Sequence, residues 1–343
     1  MARSFDYGNA YRNLEQGGVT MRKVSVGSAV LFLAMACFGT ASAQDAYPSK
    51  PIKVVIPLGP GSGNDVVTRI LSARLEKELK TRIEVEYKAG GGGGVIGADF
   101  VANSKPDGYT LGTLNSSIFT NAPVFNPVPF DPIKGFTPIA RLGAGSIVLT
   151  VNASAPWKTF EEFMAHARKS PGKATCGTTG AATVGNLDLE LLKAAAGVQI
   201  THVPYKAGSG PNIAALLGGH IDCAMQLWPV LVNHVRGGKL RALATVSPLR
   251  EFPQVPTFAK KGFPSVDLEV WFGFFGPANL PANVMAKLSP AFEKALKDPE
   301  NVGKLEKLGW NVQYEGSAAV AERIKKELGA VRDLVKKAGI KTD

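Results

Sequence analysis

Cysteine and histidine are scarce in this 343-residue chain, which contains three cysteines and four histidines. The histidines show neither an HExxH nor a His-x-His spacing, so they form no recognisable metal-binding motif. Cys37 falls in the N-terminal leader described below, and the two remaining cysteines are too few for a metal framework. We therefore expect no metal. Cys176 and Cys223 could either pair in an oxidising compartment or remain buried thiols.

Long apolar segments are lacking after the leader. Met21-Arg22-Lys23, the apolar stretch VSVGSAVLFLAMACFG and the small residues ASA before Gln44 have the pattern of a secretory signal peptide. We predict a signal over 21–43 that is cleaved after Ala43, with residues 1–20 as an over-extended start. A lipid anchor at Cys37 is the alternative. No later segment approaches the roughly 18 apolar residues of a membrane span, so we expect an exported mature chain from Gln44 to Asp343.

The chain has few acidic residues relative to basic ones and carries a formal net charge of +11. A positive field favours anionic partners. However, the sequence has no cluster of lysine and arginine interleaved with aromatic residues, so we expect no nucleic-acid partner. The balance of 45% hydrophobic and 20% charged residues is that of a soluble globular protein, and the length suggests two domains.

Apolar strands alternate with helical patterns in the first third of the chain. PIKVVIPL (51–58), RIEVEY and YTLGTL (109–114) are predicted strands. A predicted helix over about 65–79 places Val67, Leu71, Leu75 and Leu79 on one face. This rhythm predicts a parallel sheet covered by helices.

A proline-rich stretch, residues 121–138, interrupts this pattern before a second group of strands begins. The predicted strands of this group are SIVLTVN (146–152), KATCG, ITHVPY, IDCAMQ and KLRALATV. The strand VWFGFFGP (270–277) and two amphipathic helices, over about 284–296 and 320–335, finish the chain. The order predicts an α/β fold of two lobes hinged by crossing strands. In open α/β sheets the ligand binds beyond the carboxyl ends of the strands, so we expect a ligand cleft between the lobes.

A run of five glycines before the sequence VIGAD formally matches the dinucleotide motif G-x-G-x-x-G over residues 92–97. The acidic residue that would bind the ribose about 20 positions later is missing, and no Gly-Lys-Ser/Thr follows. Glycine amides before a helix can instead bind a carboxylate or another anion, although a ligand-free turn is an alternative. Similar loops rich in glycine and hydroxyl groups follow three other predicted strands, at 59–65, 176–186 and 205–211. Together they indicate a binding cleft without a nucleotide or other cofactor.

Catalytic motifs are also missing. The sequence has no Gly-x-Ser-x-Gly nucleophile elbow and no recognisable Cys/His pair. We therefore predict no catalytic residue, and an exported α/β enzyme acting on an organic acid or ester remains the alternative.

Several segments resemble the Bug family of periplasmic receptors of tripartite tricarboxylate transporters. These are YPSKPIKVVIPLGPGSGNDVVTRILSARL, GGGGVIGADFVANSKPDGYTL, ITHVPYKAGSGP, LLGGHID, GKLRALAT and VPTFAKKGFP. The resemblance implies a two-lobed periplasmic-binding-protein fold (Venus-flytrap, type II-like) that closes over a small carboxylate and delivers it to a membrane permease. It also implies a periplasmic location and a monomer. A sensor partner that binds the ligand without transport is a further alternative, and the sequence does not predict which carboxylate is bound.

The resemblance places the first lobe at 44–145 and 248–343 and the second lobe at 146–247. Carried over residue by residue, it implies a ligand site made by Gly61, Ser62, Gly63, Asn64, Asp65, Gly92, Gly93, Gly94, Asn115, Ser116, Gly177, Thr178, Thr179, Asn186, Tyr205, Lys206, Ala207 and Gly208. Asp65 is equally suited to capping a helix. Two departures, Asn186-Leu187 in place of a His–Leu pair and Ala215 in place of an aspartate, fall near this expected pocket.

Overall fold

The structure is a computed structural model that describes residues 47–205 and 208–340. Two β-sheets organise this part of the chain. The predicted leader lies outside these residues. In chain order the strands are β1 (Ile52–Ile56), β2 (Ile83–Tyr87), β3 (Thr110–Asn115), β4 (Phe136–Gly145), β5 (Ile147–Asn152), β6 (Thr175–Thr178), β7 (Thr201–Pro204), β8 (Cys223–Leu227), β9 (Leu240–Thr245), β10 (Val270–Pro277) and β11 (Asn311–Gly316).

Helices cover both sheets. They are α1 (Gly63–Leu79), α2 (Val95–Ala102), α3 (Ser116–Thr120), α4 (Ala122–Phe125), α5 (Phe160–Lys169), α6 (Val184–Ala196), α7 (Ser209–Leu217), α8 (Trp228–Arg236), α9 (Ala282–Lys297), α10 (Pro299–Lys307) and α11 (Ser317–Lys337). In the described part of the chain, none of these helices combines the length and the apolarity needed to cross a bilayer.

The first lobe is built on a six-stranded sheet with the order β11-β4-β10-β3-β1-β2. Strands β2, β1 and β3 are parallel, as predicted, whereas β10 is antiparallel to both β3 and β4. A purely parallel sheet was therefore the wrong prediction for this half. The physical reason is that β10 returns from the second lobe and enters the sheet from the opposite end.

The second lobe is built on a five-stranded sheet with the order β7-β6-β8-β5-β9. Strands β7, β6 and β8 are parallel, and β5 pairs antiparallel with both β8 and β9. Cys176 and Cys223 are register partners on β6 and β8. Both are fully buried, and their thiols are free.

Helix α1 illustrates how local sequence determines this architecture. It begins after Ser62, whose side chain accepts a hydrogen bond from the amide of Asp65, and it ends at Lys80 in the left-handed conformation (φ 53°). The predicted stripe of Val67, Leu71, Leu75 and Leu79 is buried. Burial of a leucine or valine side chain contributes about 1.5–3 kcal/mol, so this stripe fixes the face that α1 presents to the sheet.

The chain passes between the lobes twice, directly from β4 to β5 through Ser146 and again between β9 and β10. The hydroxyls of Ser146 and Thr245 lie 2.7 Å apart, and the amide of Ser247 donates to the Ser146 hydroxyl at 3.0 Å. These contacts join the two crossings side by side, as a hinge requires. The predicted lobe boundaries at 145/146 and 247/248 lie in these two connections and stay predictions.

Strand β4 has a glycine at position 143 that we expect to be irreplaceable. Gly143 has φ +142°, and an added Cβ would overlap the backbone carbonyl of Asn311 on β11. Changing Gly143 to alanine should lower the free energy of unfolding by at least about 3 kcal/mol, because backbone atoms must move. Urea denaturation measures the difference.

Gly303 supplies the matched control for this change. It lies within α10, and a Cβ added to it would meet no neighbouring atom within 4 Å. Gly303→Ala should therefore raise stability by about 0.5–1 kcal/mol through helix propensity. Equal stability of the two variants would contradict the role given to Gly143.

Candidate functional site

A small cavity lies between the lobes, beyond the carboxyl ends of the parallel strands. Its volume is about 40 Å³. Residues from both lobes line it: Leu58, Gly63, Asn64, Gly93, Asn115, Ser117, Ile147, Thr179, Thr183, Val184, Gly185, Ser209, Met225, Gln226, Leu227, Val270 and Phe272. None of these side chains is ionisable. The cavity is therefore polar without carrying a charged side chain among the described residues that line it.

Helix N-termini converge on this cavity from both lobes. α1 begins at Gly63, α6 at Val184 and α7 at Ser209, and all three of these residues line it. Gly93 lies two residues before the start of α2. The first amides of a helix have no partner inside the helix and carry a partial positive charge. Backbone amides with partial positive charge are therefore the groups that these helix ends bring to the cavity.

A hydrogen-bonded chain of polar side chains crosses from the first lobe to the second. The side-chain Nδ2 of Asn115 donates to Asn64 Oδ1 at 3.2 Å, and Asn115 Oδ1 accepts from the backbone amide of Ser117 at 3.0 Å. The Ser117 hydroxyl then accepts from the backbone amide of Val184 at 3.1 Å. One helix N-terminus of the second lobe is therefore satisfied by a hydroxyl of the first lobe, which favours the closed arrangement of the lobes.

The first glycine loop has a structural role at two of its predicted positions. Asp65 Oδ2 accepts from the amide of Gly61 at 2.9 Å, and Oδ1 accepts from Arg69 and from the Tyr87 hydroxyl, both at 2.8 Å. Ser62 is fully buried as the N-cap of α1. Both carboxylate oxygens of Asp65 are thus engaged inside the first lobe, and among the loop residues Gly63 and Asn64 line the cavity.

The five-glycine run forms a turn that contacts the second lobe. All five residues, 90–94, have positive φ angles. A Cβ on Gly93 would lie 3.1 Å from the carbonyl oxygen of Ala182, and one on Gly94 would lie 2.8 Å from Pro57 Cβ. Gly92 has no such neighbour within 4 Å. The run therefore allows close approach of the two lobes at Gly93.

The predicted second-lobe residues divide between the cavity and its support. Thr179 lines the cavity, whereas the Thr178 hydroxyl lies 2.7 Å from His202 Nε2, and burial lowers the pKa of His202. A Cβ added to Gly177 would overlap the side chain of Asn212. The side-chain Nδ2 of Asn186 donates to the Ala181 carbonyl at 2.6 Å. Thr178 and Asn186 thus stabilise the loop at 176–186 through these hydrogen bonds.

The predicted loop at 205–211 packs against the loops at 59–65 and 176–186. The Tyr205 amide donates to the Thr178 carbonyl at 2.8 Å, and a Cβ on Gly208 would lie 3.3 Å from the Gly59 amide nitrogen. Lys206 and Ala207 lie outside the described residues. Ser116, predicted beside Asn115, is buried next to the cavity and does not line it, and its hydroxyl has no partner among the described residues.

Several lining residues were not in the predicted set. The main ones are Ser117, Thr183, Ser209 and Gln226, together with the apolar residues Ile147, Met225, Leu227 and Phe272. Gln226 is the penultimate residue of the otherwise apolar strand β8, and this polar residue near the carboxyl end of a strand was the available signal. Thr183 is the N-cap of α6 and also lay within a predicted loop.

A buried carboxyl group anchors α6 to the second crossing between the lobes. Asp188 is fully buried, and its Oδ1 accepts from the amide of Leu268 at 3.3 Å. Burial raises the pKa of Asp188 well above its ordinary value. The helix that presents Val184 to the cavity is therefore tied to the segment leading into β10.

Among the residues described, no cluster of three His, Cys, Asp or Glu side chains comes together to hold a metal ion.

Comparisons with known proteins agree with this geometry of two lobes and a cleft. Residues 67–340 match the family model described as "Tripartite tricarboxylate transporter family receptor". The chain is 33% identical over 318 residues to a UPF0065 protein encoded in the gbd 5′ region of Cupriavidus necator, covering 91% of this chain and 96% of the relative.

Solved structures of similar proteins share the whole fold. The periplasmic binding protein BugD is 27% identical, with a TM-score of 0.82 over 87% of this chain and 100% of BugD. An R. palustris protein with adipate is 26% identical (TM-score 0.80, 85% of this chain, 98% of the other). MatC from Rhodopseudomonas palustris with bound malate is 28% identical (TM-score 0.77, 84% and 100%). These likenesses confirm the predicted two-lobed binding-protein fold.

The fold and the comparisons define a solute-binding protein with a cleft between two lobes. The chain belongs to the tripartite tricarboxylate transporter receptor family, to which the Bug proteins are related. The resemblance inferred from the sequence is thereby confirmed.

Gly93 and Gly92 provide a matched pair that tests the contact between the lobes. In a Gly93→Ala variant the new Cβ would lie 3.1 Å from the Ala182 carbonyl oxygen, and the φ of +106° would also be strained. Both effects disfavour the closed arrangement, so a larger share of the molecules should be open. In Gly92→Ala the Cβ meets no neighbour within 4 Å, although its φ of +66° adds about 1 kcal/mol of local strain. We expect small-angle X-ray scattering to give a larger radius of gyration for Gly93→Ala only. Identical scattering from the two variants would show that Gly93 does not control closure.

Proposed function

We propose that the protein is a periplasmic receptor that captures a small carboxylate by hinge closure and delivers it to the permease of a tripartite transporter. The observation that carries this proposal is the convergence of helix N-termini from both lobes on one cavity without ionisable side chains. Backbone amides at helix N-termini bind anions through hydrogen bonds and the helix dipole. Because the donors come from two lobes, an anion bound between them stabilises the closed state.

The composition of the cavity favours a carboxylate that carries an apolar portion. Ile147, Met225, Leu227 and Phe272 supply apolar lining, and Asn64, Asn115, Ser117 and Thr179 supply polar lining. Hydrogen bonds to a charged group contribute about 1.5–3 kcal/mol each, more than bonds between neutral groups. The adipate and malate of the two R. palustris neighbours support the carboxylate class. The predicted contacts at Gly63, Asn64, Thr179 and the glycine run belong to this proposal.

Closure is part of the capture mechanism that we propose. Ligand sites for small molecules usually enclose about 300–1,000 Å³, whereas this cavity has about 40 Å³. An acid the size of malate therefore enters when the lobes separate, and the lobes then close around it less tightly than in this structure. The paired crossings at Ser146 and Thr245 supply the hinge.

In the function that we propose, the protein binds its ligand and does not catalyse a reaction. The family and its neighbours are solute-binding proteins. The serine and threonine hydroxyls that line the cavity have no histidine, lysine or carboxylate among the described lining residues to activate them as nucleophiles. Delivery requires a partner that distinguishes the closed receptor from the open one, and we propose the transporter permease as that partner. The receptor acts as a monomer in this scheme.

The test is a thermal-shift panel on purified protein that has been unfolded and refolded to remove any co-purified acid. Succinate, malate, adipate, citrate and benzoate are each added at about 1 mM. A ligand with micromolar affinity should stabilise the fold by about 4 kcal/mol, which raises the Tm by several degrees. Chloride at equal ionic strength is the control for a salt effect.

A shift with one of these acids, at constant acid concentration over hours, supports binding without turnover. Steady consumption of a bound acid would overturn the receptor assignment in favour of an enzyme. Absence of a shift with every acid would overturn carboxylate capture.

A further inference from the structure

We propose that a second cavity, on the far side of the hinge from the cleft, is a binding site for an organic ammonium ion, and that an ion bound there favours the closed arrangement of the lobes. This inference goes beyond the proposed function, because it concerns a different cavity and a ligand of the opposite charge. It does not depend on carboxylate capture, since binding and closure are both measured below without an acid.

This hinge cavity lies where the two lobes and their two connections meet. Ser146 and Ser247 line it from the two crossings, Trp228 from the start of α8 in the second lobe, and Trp310 from the residue before β11 in the first. Its volume is about 590 Å³. Sites for small molecules usually enclose about 300–1,000 Å³, so the hinge cavity has the size of a ligand site in this arrangement of the lobes.

The main chain of the hinge separates this cavity from the one in the cleft. At three places, adjacent residues divide between the two: Ser146, Trp228 and Glu269 line the hinge cavity, whereas Ile147, Leu227 and Val270 line the cavity between the lobes. Successive side chains of an extended chain point to opposite faces. The two cavities therefore lie on opposite faces of the crossing strands, and an occupant of one does not fill the other.

The buried part of the hinge cavity combines two indole rings with one carboxylate. Trp228 and Trp310 are buried, and Glu269 is half-buried. Glu269 Oε1 accepts from the Ser247 hydroxyl at 2.6 Å. Arg141, whose charge also acts on Glu269, pairs with Glu315 at 3.0 Å. The carboxylate of Glu269 thus has a neutral hydrogen-bond partner at the cavity.

The other charged residues of the hinge cavity lie at its exposed rim. Arg250 pairs there with Glu306 at 3.4 Å, and Glu251 accepts from Arg236 at 2.8 Å. Exposed pairs of this kind contribute little binding energy. The charge that a ligand meets in the interior is therefore the negative charge of Glu269, which repels an anion and attracts a cation.

Indole rings beside a carboxylate suit an organic ammonium ion better than a bare metal ion. Tryptophan faces attract cations, and the attraction grows as water is excluded. Methyl or methylene groups next to the nitrogen pack on the rings, while the positive charge pairs with Glu269. A neutral molecule of the same shape keeps the apolar packing and loses both electrostatic attractions.

An ion bound in the hinge cavity contacts groups that move relative to one another when the lobes rotate. Trp228 moves with the second lobe and Trp310 with the first, and the crossings between them carry Ser146 and Ser247. A ligand that fits these walls in one conformation shifts the population towards that conformation. The ammonium ion therefore favours the closed arrangement, in which the cavity is formed as described.

The first arm of the test compares choline with its uncharged carbon analogue, dimethylbutanol, by isothermal titration calorimetry on the refolded wild-type protein. The two molecules have nearly the same shape and differ in charge, and sodium chloride keeps the ionic strength constant. We expect choline to bind at least about 10-fold more tightly, which corresponds to about 1.4 kcal/mol. Equal affinities, or no binding of choline, would overturn the inference.

The second arm uses Glu269→Gln, which keeps an oxygen for the Ser247 hydroxyl and removes the charge. The affinity for choline should fall at least about 10-fold, whereas the affinity for dimethylbutanol should stay the same. A general distortion of the cavity would weaken both. Glu322→Gln is the control, because Glu322 is an exposed residue of α11 that pairs with Lys325 and does not line the cavity. If Glu269→Gln binds choline as this control does, choline is not held by Glu269 and the inference fails.

The third arm measures closure by small-angle X-ray scattering. Saturating choline should reduce the radius of gyration of the wild type, and the same concentration should leave Glu269→Gln unchanged. Binding of choline with unchanged scattering of the wild type would overturn the coupling to closure. Carboxylate capture is tested separately by the panel of acids, so failure of the ammonium site and failure of the proposed function are distinguishable.

Discussion

The unsatisfied amides at the start of each helix are the constraint on which the rest of this structure depends. A helix leaves its first amides without internal partners, and here several helices begin at one cavity. Ser62 and Thr183 cap two of them from within their own lobes. The Val184 amide finds its acceptor, the Ser117 hydroxyl, only across the cleft. Closure of the lobes therefore supplies this amide with an acceptor, and in the function that we propose an anion held between less tightly closed lobes takes that place.

The same constraint accounts for the composition of the loops around the cavity. Close approach of two backbones needs residues without side chains, and Gly93 meets Ala182 at a distance that leaves little room for a Cβ. The glycines are thus required by the contact between lobes as well as by the φ angles of the turn. Polar side chains such as Asn64 and Asn115 brace the site instead of charged ones. In the function that we propose, a site built this way binds an anion without a buried cation that would have to be desolvated.

The sequence predicted the elements that have regular patterns. The apolar stripe of α1 and the strands β1, β3 and β10 were predicted near their observed bounds, because each has a continuous apolar or periodic pattern. Strand β4 was missed, since Pro138, Gly143 and Gly145 are typical of loops, and it is stabilised by pairing with β10 and β11 on either side. Gln226 was missed although a polar residue near the carboxyl end of an apolar strand was a usable signal, whereas Ser117 was missed because its place in the cavity depends on contacts between the lobes. Asp65 shows the reverse case: a polar residue in a predicted binding loop bonds within its own lobe.

The most direct test of the central claim is to observe the helix amides themselves while an acid binds. In a deuterated, ¹⁵N-labelled sample, two-dimensional NMR follows each backbone amide during titration with adipate. If the carboxylate is held by helix N-termini from both lobes, the largest downfield amide-proton shifts should belong to Gly63, Val184 and Gly185 and their first-turn neighbours. If adipate binds while these amides stay unshifted and the changes cluster elsewhere, the account of anion capture between the lobes is contradicted.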